Sequence, residues 1–258
     1  MRESLLKVQE EIPFNNFTWI LRQAGKPFPK ELGGDCVLQS RRLVEMLSKK
    51  GFEANYLRAS GSLHVAVAAK AEDELFYLDP FLIQEEPISV TKAMAKEEPE
   101  YGEARPKIEG VFSRVSVERF ADECIAVCLS RFDPERGRQA RVGRGVLYGL
   151  QAAVDKLGVG EGLVGGGAPD VLALRVLDGD DLLTIKRSAL STGEFEVGTL
   201  GKEDHLISSV DDLRGEPEKL VLNIARLVGV EVSALMDAFA ETSRVLRKTR
   251  CLEVKEVR

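Results

Sequence analysis

Tryptophan occurs once, histidine twice and cysteine four times in 258 residues, and each scarcity narrows what the chain can be. The cysteines stand at 36, 124, 128 and 251 and the histidines at 64 and 205, so no ligand set with zinc spacing can be assembled and no metal is expected. Unpaired thiols in this pattern suit a reducing cytoplasm, the expected location. Positive charge is also in short supply. Thirty-six basic side chains face 42 acidic ones, a net charge of −6, which argues against non-specific nucleic-acid binding. No apolar run approaches the ~18 residues of a membrane helix. The opening MRESLLKVQEEIPF has neither the apolar stretch nor the small-residue cleavage site of a signal peptide. G-x-S-x-G, P-loop and H-E-x-x-H motifs are absent. What remains is an ordinary globular mix, 44% hydrophobic and 30% charged, long enough for one large domain or two small ones without disulfides.

Residues 1–32 read as helical with a turn in the middle. Leu5, Leu6 and Val8 start an apolar stripe, Ile12-Pro13-Phe14-Asn15-Asn16 interrupts it, Phe17 to Leu21 resumes it, and Gly25-Lys26-Pro27 ends it. After Gly33-Gly34-Asp35 the apolar spacing predicts a helix from about Cys36 to Lys50, with Asp35 at the N-cap position and Gly51 as the stop. Three strands are expected next, at 53–59, 63–70 and 75–79, the last two joined through the acidic turn 71–74. The polar stretch 91–108 reads as a surface loop, 111–117 as a strand, 117–129 and 146–156 as helices, and 158–167 as a Gly-rich loop. A hairpin is expected from 171–177 and 182–186 with its turn at Asp178-Gly179, and 195–200 as an added strand. Helices at 217–228 and 233–248 close the chain, with Arg244, Arg247 and Lys248 at a C-terminus where positive charge suits the dipole. The fold class is therefore α+β.

One group of residues meets a geometric test for chemistry. Cys36 stands at a predicted helix start, where unpaired amides and the helix dipole favour thiolate over thiol. His64 opens a strand and Asp79 closes the next. With the hairpin turn centred on Glu72-Asp73, paired residue numbers sum to 145, so Ala66 faces Asp79 and Asp79 is the diagonal same-face neighbour of His64. Only a bulge or an even pairing sum would part them. A carboxylate can then orient an imidazole, and the helix carrying Cys36 need only reach that face to complete a nucleophile, a base and an orienting group.

Gly33-Gly34-Asp35-Cys36 opening a helix, Leu63-His64-Val65 opening a strand and Tyr77-Leu78-Asp79 closing the next resemble the arylamine N-acetyltransferase family. Ile12-Pro13-Phe14-Asn15-Asn16 is similar to that family's Pro-Phe-Glu-Asn segment. The resemblance covers residues 12–82. It implies an N-terminal helical subdomain with the nucleophile helix, a central antiparallel β-barrel and a C-terminal α/β lid. Along the chain this gives 1–90 as the helical part with the first strands and the triad, 91–200 as the barrel-like region with inserted helices and loops, and 201–258 as the lid. The family carries an acyl group from coenzyme A to its cysteine and on to an aromatic amine, hydrazine or hydroxylamine. The resemblance thus implies Cys36 as nucleophile, His64 as base and Asp79 as orienter. Leu32 and Leu38 stand where the family has Arg and Glu, an apolar pair replacing a charge pair, and Pro80-Phe81-Leu82 replaces Val-Gly-Phe.

The expected activity is acyl transfer, with no permanently bound cofactor. Acyl-coenzyme A or an acyl-carrier thioester would be the cosubstrate, an amine the acceptor, and an acyl carrier protein a partner. A transglutaminase-like cysteine hydrolase or amidase with the same triad, and a non-catalytic member of the fold, are the alternatives; Asp79-Pro80 leans towards the former. Weaker signals have plain readings. The match to G-x-G-x-x-G at Gly160–Gly165 lacks a preceding strand and a following helix. The arginines at 131, 136, 138, 141 and 144 form a solvated face, or else meet phosphates of coenzyme A or phosphopantetheine. Cys124 and Cys128, four apart, are expected on the packed face of a helix.

Overall fold

The computed structural model describes residues 1–60, 64–96, 98–108, 111–133, 138–141, 146–154, 171–188, 194–200, 202, 204–208 and 210–256. Position 63, the Gly-rich stretch 158–167 with its G-x-G-x-x-G match, the helix end at 155–156 and arginine positions 136 and 144 lie outside them, as do the side chains at 131, 138, 141 and 251.

The helices are α1 (Arg2–Glu11), α2 (Thr18–Gln23), α3 (Cys36–Lys49), α4 (Val90–Ala95), α5 (Gly215–Val228) and α6 (Val232–Glu256). The strands are β1 (Phe14–Asn15), β2 (Glu53–Ala59), β3 (Val65–Ala71), β4 (Glu74–Leu78), β5 (Ile88–Ser89), β6 (Glu100–Ile108) and β7 (Val111–Ala121). They continue with β8 (Cys124–Asp133), β9 (Arg138–Arg141), β10 (Val146–Val154), β11 (Val171–Asp178), β12 (Asp181–Ser188), β13 (Phe195–Thr199) and β14 (His205–Ile207). Contacts divide the chain into two compact, discontinuous units: 1–11 with 36–166, and 12–35 with 167–258.

The first unit is built on one antiparallel sheet in the order β5-β4-β3-β2-β10-β8-β7-β6, with β9 beside β8. The segment after β4 returns to the far edge strand. Arg105 N–H donates to the Ile83 carbonyl at 2.9 Å and Glu85 N–H to the Glu103 carbonyl at 2.8 Å, so the sheet is nearly closed into a barrel. Its interior is filled at period two, by Ala66 and Ala68 on β3, Val115 and Val117 on β7, and Ile125 and Val127 on β8. β3 is buried on both faces because α3 lies against β2 and β3. Leu43 and Leu47 of that helix are wholly buried.

The second unit is a sheet in the order β1-β11-β12-β13-β14, with α5 against β11, β12 and β13 and α2 against α6. Phe17 and Phe239 meet with ring centroids 4.5 Å apart in its core. The Ile12–Asn16 segment organises this unit. Asn15 Oδ1 accepts from the Phe17 and Thr18 amides at the head of α2, and its Nδ2 donates to the Leu32 carbonyl at 2.8 Å. Asn16 pairs through its side-chain amide with Val171 O and Ala173 N–H, both at 2.8 Å.

Several expectations need correction. The stretch 91–108 is not a loop; after Lys92 and Met94 in α4 it forms β6, which closes the barrel. Its inward residues are Gly102 and Ala104, its outward ones Tyr101 and Glu103, so the alternation carries no apolar signal. Only a residue this small fits at 102, where a Cβ would sit 2.7 Å from the Ile88 side chain. Residues 117–129 are not a helix but the hairpin β7–β8, turning at Glu123 in the left-handed region (φ +56°) without any Gly or Asn to announce it. Cys124 and Cys128 therefore sit four residues apart on one face of a strand, not of a helix. Residues 146–154 form β10, a short apolar run that periodicity alone does not separate from a helix. α6 runs on to Glu256, so Arg244, Arg247 and Lys248 are interior to it, and Arg244 pairs with Glu241 at 2.6 Å. The second hairpin forms as expected but turns at Gly179-Asp180, Asp178 facing Asp181. Residues 1–32 hold two helices, the short strand β1 and a 3₁₀ turn at Lys30–Leu32. No helix among the described residues is long and apolar enough to cross a membrane.

Gly33 has φ +80°, and a Cβ there would lie 2.1 Å from the Pro13 carbonyl oxygen. Gly33→Ala should cost about 2 kcal/mol or more of stability, because left-handed strain and a backbone clash add. Urea denaturation of the two proteins measures it, and an unchanged midpoint would refute the account.

Candidate active site

The hairpin register holds from Val67↔Leu78 to Ala71↔Glu74, every pair summing to 145, with the turn at Glu72-Asp73. This carries Asp79, one residue beyond β4, to the end of β3 where His64 precedes Val65. The sheet thus delivers a carboxylate to an imidazole, and His64 Nε2 lies 2.6 Å from Asp79 Oδ2. The carboxylate accepts only, so Nε2–H donates. Cys36 is the first residue of α3, and its sulfur lies within hydrogen-bonding reach of the same ring. Ser40, one turn further along α3, donates to the Val65 carbonyl at 2.9 Å and ties the head of the helix to the strand start beside His64. All three residues expected from the sequence are brought together in the first unit. Cys36 is half-buried and Asp79 fully enclosed.

Three further side chains complete the surroundings. Tyr77 donates its hydroxyl to Asp79 Oδ2 at 2.8 Å, and the Tyr148 hydroxyl stands 3.2 Å from that of Tyr77. Phe81 lies against the imidazole with centroids 4.9 Å apart, and its amide donates to Asp79 Oδ1 at 3.0 Å. Sequence reasoning missed both tyrosines as site residues. A signal existed for Tyr77: two residues before Asp79 on one strand puts both on one face, and the register sets the large ring opposite small Ala68. Tyr148 had none, since it was assigned to a helix.

The electrostatics follow from burial and charge. Enclosure alone would push the His64 pKa down, but the Asp79 carboxylate outweighs it by charge and hydrogen bond, with Cys36 adding to the same effect. The imidazole pKa lies well above its ordinary 6.5. Burial, then Asp79, raises the Tyr77 hydroxyl well above 10, so it remains a neutral donor. Tyr148 is raised for the same leading reasons.

No cluster of three or more His, Cys, Asp or Glu that could hold a metal occurs among the described residues. His205 lies on β14 in the other unit.

No family model matches the chain, and no curated protein does. Solved structures do. The arylamine N-acetyltransferase of Nocardia farcinica is 15% identical, with 93% of this chain and 87% of that one covered and a TM-score of 0.55. The enzyme of Mycobacterium abscessus is 14% identical over 93% and 89%, with a TM-score of 0.54. That of Mycobacterium marinum is 12% identical over 94% and 92%, at 0.52. The chain therefore has the fold of the arylamine N-acetyltransferases.

Replacing Asp79 by Asn removes the charge that holds the imidazolium. An NMR titration should show the His64 midpoint falling. A raised folded-state pKa stabilises the protein fully below the ordinary imidazole value, about 6.5, and that contribution is lost as pH rises through the raised value. Wild-type stability relative to Asp79→Asn should accordingly shrink over that upper range in denaturant titrations. A constant difference across it would count against the pairing.

Proposed function

We propose that the protein is a cysteine acyltransferase that takes an acyl group from a coenzyme A or carrier-protein thioester and passes it to an amine, with Cys36 as nucleophile, His64 as base and Asp79 as orienting carboxylate. The observation that carries this reading is the buried Asp79–His64 pair at the head of the helix that begins with Cys36. An imidazolium held by a buried carboxylate is the counter-ion a cysteine thiolate needs.

The thiolate attacks the thioester carbonyl, and backbone amides near the start of α3 are suited to the oxyanion. Collapse breaks the bond to the donor's sulfur, which leaves with the proton from His64. The amine then attacks the Cys36 thioester, His64 accepts the amine's proton, and the Cys36 thiolate departs as the amide forms. Electrons and protons balance with no further reactant. The fold shared with arylamine N-acetyltransferases supports transfer. The acceptor is the amine class as a whole, and the apolar Leu32 and Leu38 in place of the family's charged pair are the reason to test carrier-bound as well as free donors.

Brief exposure to acetyl-, propionyl- and malonyl-coenzyme A, and to acyl-carrier thioesters, should add one acyl group to the wild-type mass, removable by hydroxylamine, and none to Cys36→Ala. Asp79→Asn should lower kcat about 100-fold or more, with a much smaller change in donor KM. Release of free thiol without adduct or amide would establish the hydrolase instead, and no reaction with any donor would overturn acyl transfer.

A further inference from the structure

Asp79 is useful to His64 only if the backbone that carries it is fixed, and β4 has already ended at Leu78. The chain next makes a 3₁₀ turn at Pro80–Leu82, capped by Asp79 Oδ1, and Ile83 leaves it at φ +57°. Left-handed backbone is costly for a β-branched residue and persists where its surroundings hold it on both sides. The next residue, Gln84, is fully enclosed, and its side chain points back along the path just travelled. Its Oε1 accepts from the Asp79 amide at 3.0 Å, and its Nε2 donates to the Tyr77 carbonyl at 3.1 Å and also to the Glu86 carbonyl. Both amide hydrogens and the amide oxygen are thus spent on backbone. Gln84 is itself anchored, because its carbonyl accepts from Gln9 Nε2 of α1 at 2.6 Å and its backbone bridges to Ala104 of β6.

We propose that Gln84 is a positioning residue of the active site, its side-chain amide clamping the backbone on both sides of residue 78 so that Asp79 is fixed against the His64 imidazole. Tyr77 and Asp79 are the two residues whose side chains meet at Oδ2, and Gln84 binds the main chain of both. The geometry separates labour within one carboxylate's surroundings: Phe81 N–H and Tyr77 hydroxyl set the rotation of the carboxyl group, whereas Gln84 sets where its Cα lies. The inference rests on the acyl-transfer reading for its consequence to rate, but not for its consequence to His64.

Two variants test it. Gln84→Met keeps close to the native volume and removes all three side-chain hydrogen bonds. Gln84→Asn keeps the amide but is one methylene too short to bridge Tyr77 and Asp79. In both, the NMR midpoint of His64 should fall in the direction expected for Asp79→Asn, and kcat for acyl transfer should drop about 10-fold at nearly unchanged donor KM. A role confined to holding the turn together would lower stability and leave the His64 midpoint alone. A wild-type His64 titration in either variant with native near-ultraviolet circular dichroism overturns the proposal. In the unaltered protein, the Asp79 amide should exchange with deuterium as slowly as the core amides of β3, and exchange at the rate of an open loop would overturn it equally. If the wild type takes no acyl group from any thioester, the acyl-transfer reading fails, and the His64 titration still decides the role of Gln84.

Discussion

A carboxylate enclosed without solvent access is tolerable only where its charge is answered, and Asp79 is answered from three sides: by the His64 ring, the Tyr77 hydroxyl and the Phe81 amide. Much of the first unit can be read as the means of keeping those donors in place. The β3–β4 register brings His64 and Asp79 to the same end of the hairpin. α3 is sewn to that end by Ser40, and Asp79 is fully enclosed there. A buried carboxylate of this kind is not a source of stability by itself, since removing charge and donors together is often neutral. Its value lies in what it does to the imidazole, whose positive form it favours beside a cysteine.

The two units divide their work differently. The first concentrates polar groups around one point within an apolar barrel. The second builds an apolar core from its sheet, α2, α5 and α6, and polar side chains of the Ile12–Asn16 segment act there on backbone groups. That segment entered as a likeness to a family motif, and the hydrogen bonds of Asn15 and Asn16 give it a physical role. Asn15 caps α2 and holds the Leu32 carbonyl, while Asn16 supplies side-chain and backbone bonds to β11.

Legibility in the sequence tracked the strength of local signals. Helical spacing after Asp35 and the acidic turn at 72–73 are short-range features: the first put Cys36 at a helix start and the second set His64 and Asp79 on one face, whereas the meeting of the helix with that face rested on the family resemblance. β6 was hidden because a closing strand that faces inward with Gly102 and Ala104 has almost no apolar side chains to alternate. The β7–β8 hairpin was hidden by a turn through Asp122-Glu123, whose acidic pair reads equally well as a helix surface. Tyr148 was lost with its strand, because its place beside Tyr77 depends on β10 joining β2 and β8, pairings nearly a hundred residues apart in the first case. Long-range strand pairing leaves no mark on a single stretch of chain, so the tyrosines around Asp79 emerge only in three dimensions.

The interruption of each unit by the other has a kinetic side. Everything the first unit contains has been made once the ribosome passes residue 166. Residues 12–35, by contrast, belong with a partner that starts at 167, and β1 cannot pair until β11 exists. The nascent chain thus carries an unpaired strand and the apolar face of α2 through most of its synthesis, tethered at one end to α1 and at the other to the helix that begins with Cys36. Contacts of such large sequence separation close slowly. Completing the second unit therefore requires the capture of an early segment by a late one, and it falls on the stretch of chain that leads directly into Cys36.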